Sequence, residues 1–161
     1  MRRFAFPLML LLLAAPLAAR DSLGVFGDWG AFRDPAAGRC YAIAAAQTSR
    51  NRDFAPFASV GSWPGRQVRG QLHLRPSRRL PAGSTATLRI GTANFRVSGG
   101  ASDLWAADAR ADAAILAAMR SAGSMVLSAR DARGRNFTDR YSLRGVATAI
   151  DAASVGCARA G

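Results

Sequence analysis

The chain has 161 residues, half of them hydrophobic, which is enough for one domain with a substantial apolar core. Its formal net charge of +12 comes from arginines set against aspartates, without lysine or glutamate, and favours an anionic partner. The absence of internal repeats and low-complexity linkers excludes a repeat protein and a string of separate domains.

Residues 1–19, MRRFAFPLMLLLLAAPLAA, have the layout of a secretory signal peptide. Two arginines precede an apolar run and a group of small residues, and cleavage is expected after Ala19. The apolar run is short and is broken by Pro7 and Pro16, which argues against a transmembrane span. We therefore predict export to the periplasm or outer envelope, with residues 20–161 forming one domain and no transmembrane segment in the mature chain.

Cys40 and Cys157 are the two cysteines of the chain. In an oxidising compartment they are most simply a disulfide, and the alternatives are two free buried thiols or an intermolecular bond. An intramolecular bond would close a long loop, for which the chain-entropy model gives about 4 to 5 kcal/mol of stabilisation.

The first half of the mature chain is predicted to form short strands separated by glycine and proline turns. In chain order the predicted elements are a strand at 22–33 with a bend near Gly27, a strand at 40–44 that pairs with it, a surface loop at 48–57, a short strand at 58–63 and an alternating strand at 68–75. In the last of these, Val68, Leu72 and Leu74 share a core face, whereas Arg69 and His73 lie on the solvent face.

A two-residue hairpin turn is predicted at Gly91-Thr92, because glycine supplies the positive φ that the first turn position requires. Closing the hairpin there sets Leu88 opposite Phe95 and Arg89 opposite Asn94. The apolar faces of the two strands then agree, so the predicted register is self-consistent.

The remaining residues predict two strands framed by two helices. The predicted elements are a brief strand at 104–105, a helix at 108–122 capped by Gly123, a strand through Met125, Leu127 and Ala129, a strand through Phe137, Tyr141 and Leu143, and a closing helix with the buried stripe Val146, Ala149, Ile150, Ala153 and Cys157. Short strands at this spacing predict a mainly β, antiparallel β-sandwich with one inserted helix and a C-terminal helix.

Several segments, in their order along the chain, resemble the invasion-associated locus B family of exported alphaproteobacterial proteins. They are Gly27-Asp28-Trp29, Cys40-Tyr41-Ala42, Trp105, Ala117-Ala118-Met119 with Gly123-Ser124-Met125-Val126, and Tyr141-Ser142-Leu143-Arg144-Gly145 leading to Cys157. The resemblance implies an immunoglobulin-like β-sandwich in the periplasm or outer envelope, with some relatives linked to host-cell invasion. Many relatives carry another cysteine shortly after Gly-Asp-Trp, where Phe32 and Arg33 stand in this chain, so a single disulfide is expected.

The sequence contains little that indicates enzymatic chemistry. His73 is the one histidine, so the usual ligand set of a zinc site is missing. A nucleophile elbow, a phosphate loop and a dinucleotide fingerprint are also missing. Asp108 and Asp112 lie four residues apart, and the electrostatics of a helix start explains both. A hydrolase would need Asp28, His73 and a serine to converge in one cleft. We therefore predict that the protein has no enzymatic activity and binds no metal or cofactor.

The arginines are unevenly distributed. Between Asp53 and Asp103 there are seven arginines and no acidic residue. Strand alternation predicts that four of them point away from the core and share a sheet face, namely Arg69, Arg75, Arg89 and Arg96. Such a face would attract lipopolysaccharide phosphate, an anionic lipid surface or an acidic envelope protein. The alternative is a solvated surface of a basic protein, and nucleic acid is not expected because aromatic residues are not interleaved with these arginines.

The second candidate site is a pocket or structural motif marked by Asp28, Trp29, Trp63 and Trp105. Tryptophans in a sandwich also pack in the core, and Asp28 also suits a turn. The first functional hypothesis is therefore a non-enzymatic envelope protein that binds a macromolecular or anionic partner, with a role in envelope integrity or host interaction. The runner-up is a periplasmic binder of a small ligand or an inhibitor of an envelope enzyme. The sequence does not indicate the oligomeric state.

Overall fold

The computed structural model describes residues 20–47 and 52–158. The predicted signal peptide at 1–19 lies outside the described residues, as does part of the predicted loop at 48–57. Within the described part the fold is mainly β with an inserted helix and a C-terminal helix, which confirms the predicted fold class. No helix in this part is long and apolar enough to cross a membrane.

The elements follow one another along the chain as ten strands and two helices, with a 3-10 turn at Pro64–Arg66. They are β1 (Asp21–Phe26), β2 (Trp29–Asp34), β3 (Arg39–Ala45), β4 (Phe57–Trp63), β5 (Val68–Arg75), β6 (Ser84–Ile90), β7 (Ala93–Gly99), β8 (Leu104–Trp105), α1 (Ala109–Ser121), β9 (Ser124–Arg130), β10 (Asn136–Ser142) and α2 (Val146–Ala158).

All ten strands belong to one antiparallel sheet with the order β1-β2-β3-β4-β5-β8-β7-β6-β9-β10. The sheet curls back on itself, because Gln47, two residues beyond β3, bridges Arg140 of β10. Its two halves therefore face each other around a single apolar core in a sandwich-like arrangement. Leu74 of β5, Leu88 of β6 and Leu127 of β9 are fully buried members of that core.

The segment predicted as one bent strand at 22–33 is instead a hairpin of β1 and β2, so this prediction is wrong. Phe26 pairs directly with Trp29, and the chain reverses at the two residues between them. Gly27 has a positive φ of 60°, which glycine adopts without strain. The backbone N–H of Asp28 donates to the carbonyl oxygen of Arg144 at 3.0 Å. This hydrogen bond ties the turn to the chain between β10 and α2.

The predicted register of the β6–β7 hairpin is confirmed. Leu88 lies opposite Phe95 and Arg89 opposite Asn94. Gly91 has a φ of 56°, as the turn requires. The outward and inward faces of these two strands are therefore those that the alternation of the sequence predicts.

The predicted helix at 108–122 is α1, but its carboxyl end differs from the prediction. Asp108 caps the amino end by accepting a hydrogen bond from the backbone N–H of Ala111 at 2.8 Å. At the other end Ala122 is the capping residue, in extended conformation, so Gly123 does not form the predicted cap. The chain passes directly from α1 into β9, and no left-handed residue is needed there.

The closing helix α2 buries the predicted stripe of Val146, Ala149, Ile150, Ala153 and Cys157. It packs on β2 and β3. Cys157 is bonded to Cys40 of β3, with the two Cα atoms 5.7 Å apart, which confirms the predicted disulfide. The bond holds the last helix against the third strand of the sheet.

Candidate functional site

One arginine from each of four adjacent strands points outward on the same side of the sheet. The strands are β7, β6, β9 and β10, which are neighbours in that order. The arginines are, in the same order, Arg96, Arg89, Arg130 and Arg140, and all four are exposed. We call this surface the arginine face.

Strand alternation fixes the outward direction of these side chains. Leu88 precedes Arg89 in the sequence, and Tyr141 follows Arg140. Both are fully buried in the core. Arg89 and Arg140 lie opposite Val126 of β9 from its two sides. Val126 is only 7% exposed although it points outward. This is the burial expected where the apolar stems of arginines lie over a neighbour.

The arginine face carries no acidic side chain. Its four strands contain a single aspartate, Asp139, which points into the core and is 1% exposed. Within residues 20–47 and 52–158, none of the four arginines takes part in an ion pair. Arg96 donates from Nη2 to the hydroxyl of Thr85 on β6 at 3.3 Å. The positive charge of the face is therefore not compensated locally.

The ten aspartates of the chain are used in other contacts. Six form ion pairs with arginines away from the face: Asp21 with Arg33, Asp28 with Arg144, Asp34 with Arg39, Asp103 with Arg75, Asp131 with Arg135, and Asp151 with Arg120. The other four accept hydrogen bonds from backbone amides: Asp53, Asp108, Asp112 and Asp139. The carboxylates thus take part in contacts within the fold. The arginines in excess, including those of the face, have no carboxylate partner among the described residues.

The structure brings two of the predicted face residues together and places the other two elsewhere. Arg89 and Arg96 lie on paired strands of the arginine face. Arg75, on β5, lies with Nη2 3.2 Å from Oδ1 of Asp103. Arg69 precedes Gly70, whose φ is 65°, and lines a cleft beside the helices. A strand also separates β5 from β7, because β8 is inserted between them.

Arg130 and Arg140 are absent from the face that the sequence predicts, although a signal for each is present. Arg130 alternates with the apolar residues of β9, and Arg140 alternates with those of β10. Alternation shows that both point outward. It does not show that β9 pairs with β6, and this long-range pairing is what joins them to Arg89 and Arg96.

A second group of side chains lies on the outward side of β4, β5 and β8. His73 stacks on Trp105, with ring centres 5.2 Å apart and planes at 8°. Phe57 meets the same imidazole edge-on at 5.2 Å. The Nε2 atom of His73 lies 2.7 Å from Oδ1 of Asp103. We call Phe57, His73 and Trp105 the aromatic cluster, and His73 is a packed member of it rather than an isolated surface residue.

Asp103 fixes the polar side of this cluster. Burial acts to raise the pKa of Asp103, but hydrogen bonds from Ser102 and His73 and the charge of Arg75 outweigh it. The pKa of Asp103 is therefore below its usual value, and its carboxylate is ionised at neutral pH. An ionised Asp103 holds the imidazole of His73 and the guanidinium of Arg75 in place.

Asp28 and Trp29 connect the turn after β1 to the chain between β10 and α2. Trp29 is fully buried, and its Nε1 donates to the carbonyl oxygen of Ser142 at 2.9 Å. The carboxylate of Asp28 accepts from the Arg144 guanidinium at 3.0 and 3.2 Å. The hydrogen bond from Arg144 is the main cause that lowers the pKa of Asp28. These contacts give Asp28 and Trp29 structural roles in joining the two segments.

The three tryptophans do not converge. Trp29 lies in the core, Trp105 lies on the outward side of β8, and Trp63 is half-buried near Arg39, whose guanidinium carbon is 5.9 Å from the ring centre. Two clefts of about 530 and 860 Å³ flank the disulfide, and no tryptophan lines either. The larger one lies between α1, α2 and β5, and Arg69 is among its lining residues.

The constellation that a hydrolase would need is not assembled. Asp28 contacts Arg144, whereas His73 contacts Asp103, so the two predicted members lie in different parts of the fold. Among the described residues no group of three or more histidine, cysteine, aspartate or glutamate side chains is arranged to hold a metal ion.

Asp108 and Asp112 also act separately. Asp108 caps α1, whereas Oδ1 of Asp112 accepts from the backbone N–H of Leu72 at 2.8 Å and ties α1 to β5. Burial is the main cause that raises the pKa of Asp112. Each carboxylate thus has its own structural partner.

Asp139 is a buried acid, and the alternation of the sequence already places it on the core side of its strand. It stands between Phe137 and Tyr141 at a core-facing position of β10. Its Oδ2 accepts from the backbone N–H of Ser77 at 2.7 Å, whereas Oδ1 has no hydrogen-bond partner among the described residues. Burial is the main cause that raises the pKa of Asp139. The carboxylate anchors the loop after β5 at an electrostatic cost.

Comparisons with protein-family models, with curated proteins and with solved structures each gave no match.

Proposed function

We propose that this protein binds a phosphate-bearing polyanion of the cell envelope through the arginine face and catalyses no reaction. The observation that carries the proposal is the presence of one exposed arginine on each of four adjacent strands, with no acidic residue on that face. Natural surfaces usually mix charges of both signs, and a large field of one sign is suited to attracting the opposite charge.

The geometry of the face suits an extended anion. Neighbouring strands are about 5 Å apart, so the four strands extend over about 15 Å. Each guanidinium presents a planar fork that binds phosphate with two parallel hydrogen bonds, and it remains charged at any physiological pH. A sheet surface with several such forks fits repeated phosphates on a surface or polymer better than one small molecule.

Export and family membership are parts of the same proposal. Residues 1–19 act as a signal peptide, and the protein belongs to the invasion-associated locus B type of envelope protein, with a role in envelope integrity or host interaction. The assignment rests on the resemblance of the sequence segments, and two of them, 27–29 and 141–145, contact one another in the fold through Trp29 and Ser142. Segments that depend on each other in the fold are expected to occur together in relatives.

The test compares two variants with the same change in net charge. In the first, the face residues Arg89, Arg96, Arg130 and Arg140 are replaced by serine. In the second, four exposed arginines elsewhere that form no ion pair among the described residues are replaced by serine, namely Arg52, Arg66, Arg110 and Arg133. Binding is measured by co-sedimentation with lipopolysaccharide and with vesicles of phosphatidylglycerol and phosphatidylcholine across a salt series.

We expect binding that weakens as salt increases, that is lost in the face variant and that is largely kept in the control variant. The two anionic partners distinguish lipopolysaccharide phosphates from lipid headgroups as the source of the phosphate. Equal losses in the two variants would show that net charge alone attracts the anion. Unchanged binding in the face variant would overturn the proposal.

A second candidate function, binding of a small amphipathic anion, has one observation in its favour. The cleft of about 860 Å³ combines an apolar wall that includes Leu116 and Ile150 with the guanidinium of Arg69. This volume is typical of small-molecule sites. Thermal unfolding with and without a medium-chain fatty acid tests it: a rise in Tm that Arg69→Ser removes supports the site, and no rise counts against it.

A further inference from the structure

Trp105 is an exposed aromatic residue at the border of the arginine face. It lies in the two-residue strand β8, its neighbour Leu104 is fully buried, and its own side chain is 37% exposed on the opposite side of the sheet. β8 pairs with β7, which carries Arg96. A ligand that stacks on this ring is therefore also within reach of the arginine face, so the two features together point to binding.

The ring of Trp105 is held rigidly from one side. The imidazole of His73, its direct partner on β5, stacks on the indole with planes at 8°. Phe57 packs edge-on against that imidazole, and Asp103 holds its Nε2 at 2.7 Å. A ring whose orientation is fixed before binding loses little conformational entropy when a ligand stacks on it.

The strands on the other side of Trp105, β7 and β6, carry small polar residues and the guanidinium of Arg96. Its partner on β7 is Ser98, which is exposed and pairs in turn with Thr85 of β6. The guanidinium of Arg96 donates to the hydroxyl of Thr85. Trp105 and Thr85 are therefore two strand spacings apart, about 10 Å, with hydroxyl groups between them. The row thus presents an indole ring, two hydroxyls and a guanidinium in sequence.

We propose that this row recognises a phosphorylated saccharide, with the sugar ring stacked on Trp105 and its phosphate bound by Arg96. The inference rests on the proposed function and names the chemistry of its partner. The C–H groups of a pyranose face suit the negative face of an indole. Ser98 and Thr85 supply hydrogen-bonding partners for sugar hydroxyls, and the phosphate meets a guanidinium that remains charged.

The same row fits other anions less well. A bilayer of phosphatidylglycerol and phosphatidylcholine offers phosphates, but its headgroups contain no sugar ring that could stack on the indole. Single-stranded nucleic acid is bound by successive aromatic residues along a basic groove, one for each stacked base. Along the described arginine face itself the strands carry no exposed aromatic side chain, so Trp105 provides one stacking position rather than a series.

The test uses the full chain with its disulfide intact and the delipidated core oligosaccharide of lipopolysaccharide as the probe. Affinity is measured by calorimetry for this phosphorylated oligosaccharide and for the same material after dephosphorylation. The variants are Trp105→Ala, Trp105→Tyr, Arg96→Ser and the fourfold face variant. The protein is also labelled with ¹⁵N-tryptophan, so that the three indole N–H signals report which ring meets the ligand.

We expect Trp105→Ala to weaken binding about tenfold and Trp105→Tyr to restore most of it, because a stacking ring is returned. Arg96→Ser should reduce the affinity for the phosphorylated form much more than that for the dephosphorylated form. The Trp105 indole signal should shift on binding, whereas that of buried Trp29 should not.

The outcomes separate this inference from the proposed function. If folded Trp105→Ala binds the oligosaccharide as tightly as the native protein while the fourfold face variant loses lipopolysaccharide binding, the saccharide inference is overturned and the proposed function stands. If the face variant also keeps its binding, both are overturned. Tighter binding of a single-stranded oligonucleotide than of the oligosaccharide, with the same dependence on Trp105, would assign the row to nucleic acid instead.

Discussion

Charged side chains are paired in one region of the molecule and unpaired in another. The first is the junction, the contact between residues 27–29 and 142–145, where Asp28 is paired with Arg144. The second is the arginine face, where four guanidinium groups have no acidic partner within residues 20–47 and 52–158. At the junction charge joins distant parts of the chain, whereas on the face charge is directed to solvent.

This difference indicates what each region is for. The chain has ten carboxylates against 22 arginines, and folding contacts use the carboxylates. Unpaired arginines also occur elsewhere on the described surface, for example Arg52, Arg66, Arg110 and Arg133. The arginine face differs in that four of them lie on adjacent strands with no acidic side chain among them, so we expect this surface to contribute little to folding. Stability is therefore expected to depend on the junction and on the disulfide, and not on the face.

The largest effect is expected from loss of the disulfide that holds the carboxyl end of α2 on β3. Replacing Cys40 and Cys157 by serine should lower the free energy of unfolding by about 4 kcal/mol, because the long loop is no longer closed in the unfolded chain. Urea denaturation of the native and doubly substituted proteins measures the difference. Native protein reduced with dithiothreitol is the control and should unfold at the same urea concentration as the variant. A loss below about 1 kcal/mol would contradict the prediction.

The next effect concerns Gly145, where two backbones meet at the junction. Gly145 has a φ of 87°, and a Cβ added there would overlap the carbonyl oxygen of Phe26. Gly145→Ala should therefore cost roughly 3 kcal/mol of unfolding free energy, since strain and overlap add. Urea denaturation measures this cost.

Gly38→Ala is the matched control for that variant. Gly38 also has a positive φ, 58°, but an added Cβ would meet nothing within 4 Å. Its substitution should cost only about 1 kcal/mol, the backbone term alone. Equal costs at Gly145 and Gly38 would show that close backbone approach at the junction contributes nothing.

A smaller, pH-dependent effect is expected from Asp139, the one acid in the strands of the face. Burial raises the pKa of Asp139 above its unfolded value. The contribution of this group to stability is therefore fully present below the unfolded pKa and is lost as the pH rises through the folded pKa. Asp139→Asn removes the charge and keeps an acceptor oxygen for the Ser77 N–H. We expect the variant to be more stable than the native protein at pH 7, on the order of 1 kcal/mol.

Urea denaturation at pH 7 and at pH 4 measures this difference. The advantage of Asp139→Asn should shrink at pH 4, because the native carboxyl group approaches neutrality there. The opposite result would be a variant that is less stable than the native protein at pH 7, with a smaller difference at pH 4. It would show that the charge of Asp139 itself stabilises the loop at Ser77.

Local patterns predict the parts of the fold that depend on neighbours in the sequence. The Gly91-Thr92 turn fixes the β6–β7 register, and the spacing of apolar residues identifies the buried stripe of α2. The disulfide follows from a chain with two cysteines. The hairpin at Gly27 is missed although Gly27-Asp28 is a two-residue turn with glycine first, as Gly91-Thr92 is. What no local pattern indicates is the hydrogen bond from Asp28 to Arg144, more than a hundred residues away.

The candidate site is less predictable because it depends on which strands become neighbours. Alternation gives the outward direction of Arg130 and Arg140, but the β6–β9 pairing that joins them to Arg89 crosses a helix and two strands. His73 is likewise placed on the correct side by alternation. Its stack with Trp105 depends on the insertion of β8 between β5 and β7, which no local pattern indicates.

The smallest effect on stability is expected from the arginine face itself. Replacing Arg89, Arg96, Arg130 and Arg140 by serine should change the free energy of unfolding by less than about 1 kcal/mol, because no ion pair among the described residues is lost. Relief of repulsion between like charges offsets the loss of the arginine stems over Val126. Urea denaturation at low and high salt measures both contributions. A loss of several kcal/mol would mean that the face supports the fold, and the contrast with the junction would fail.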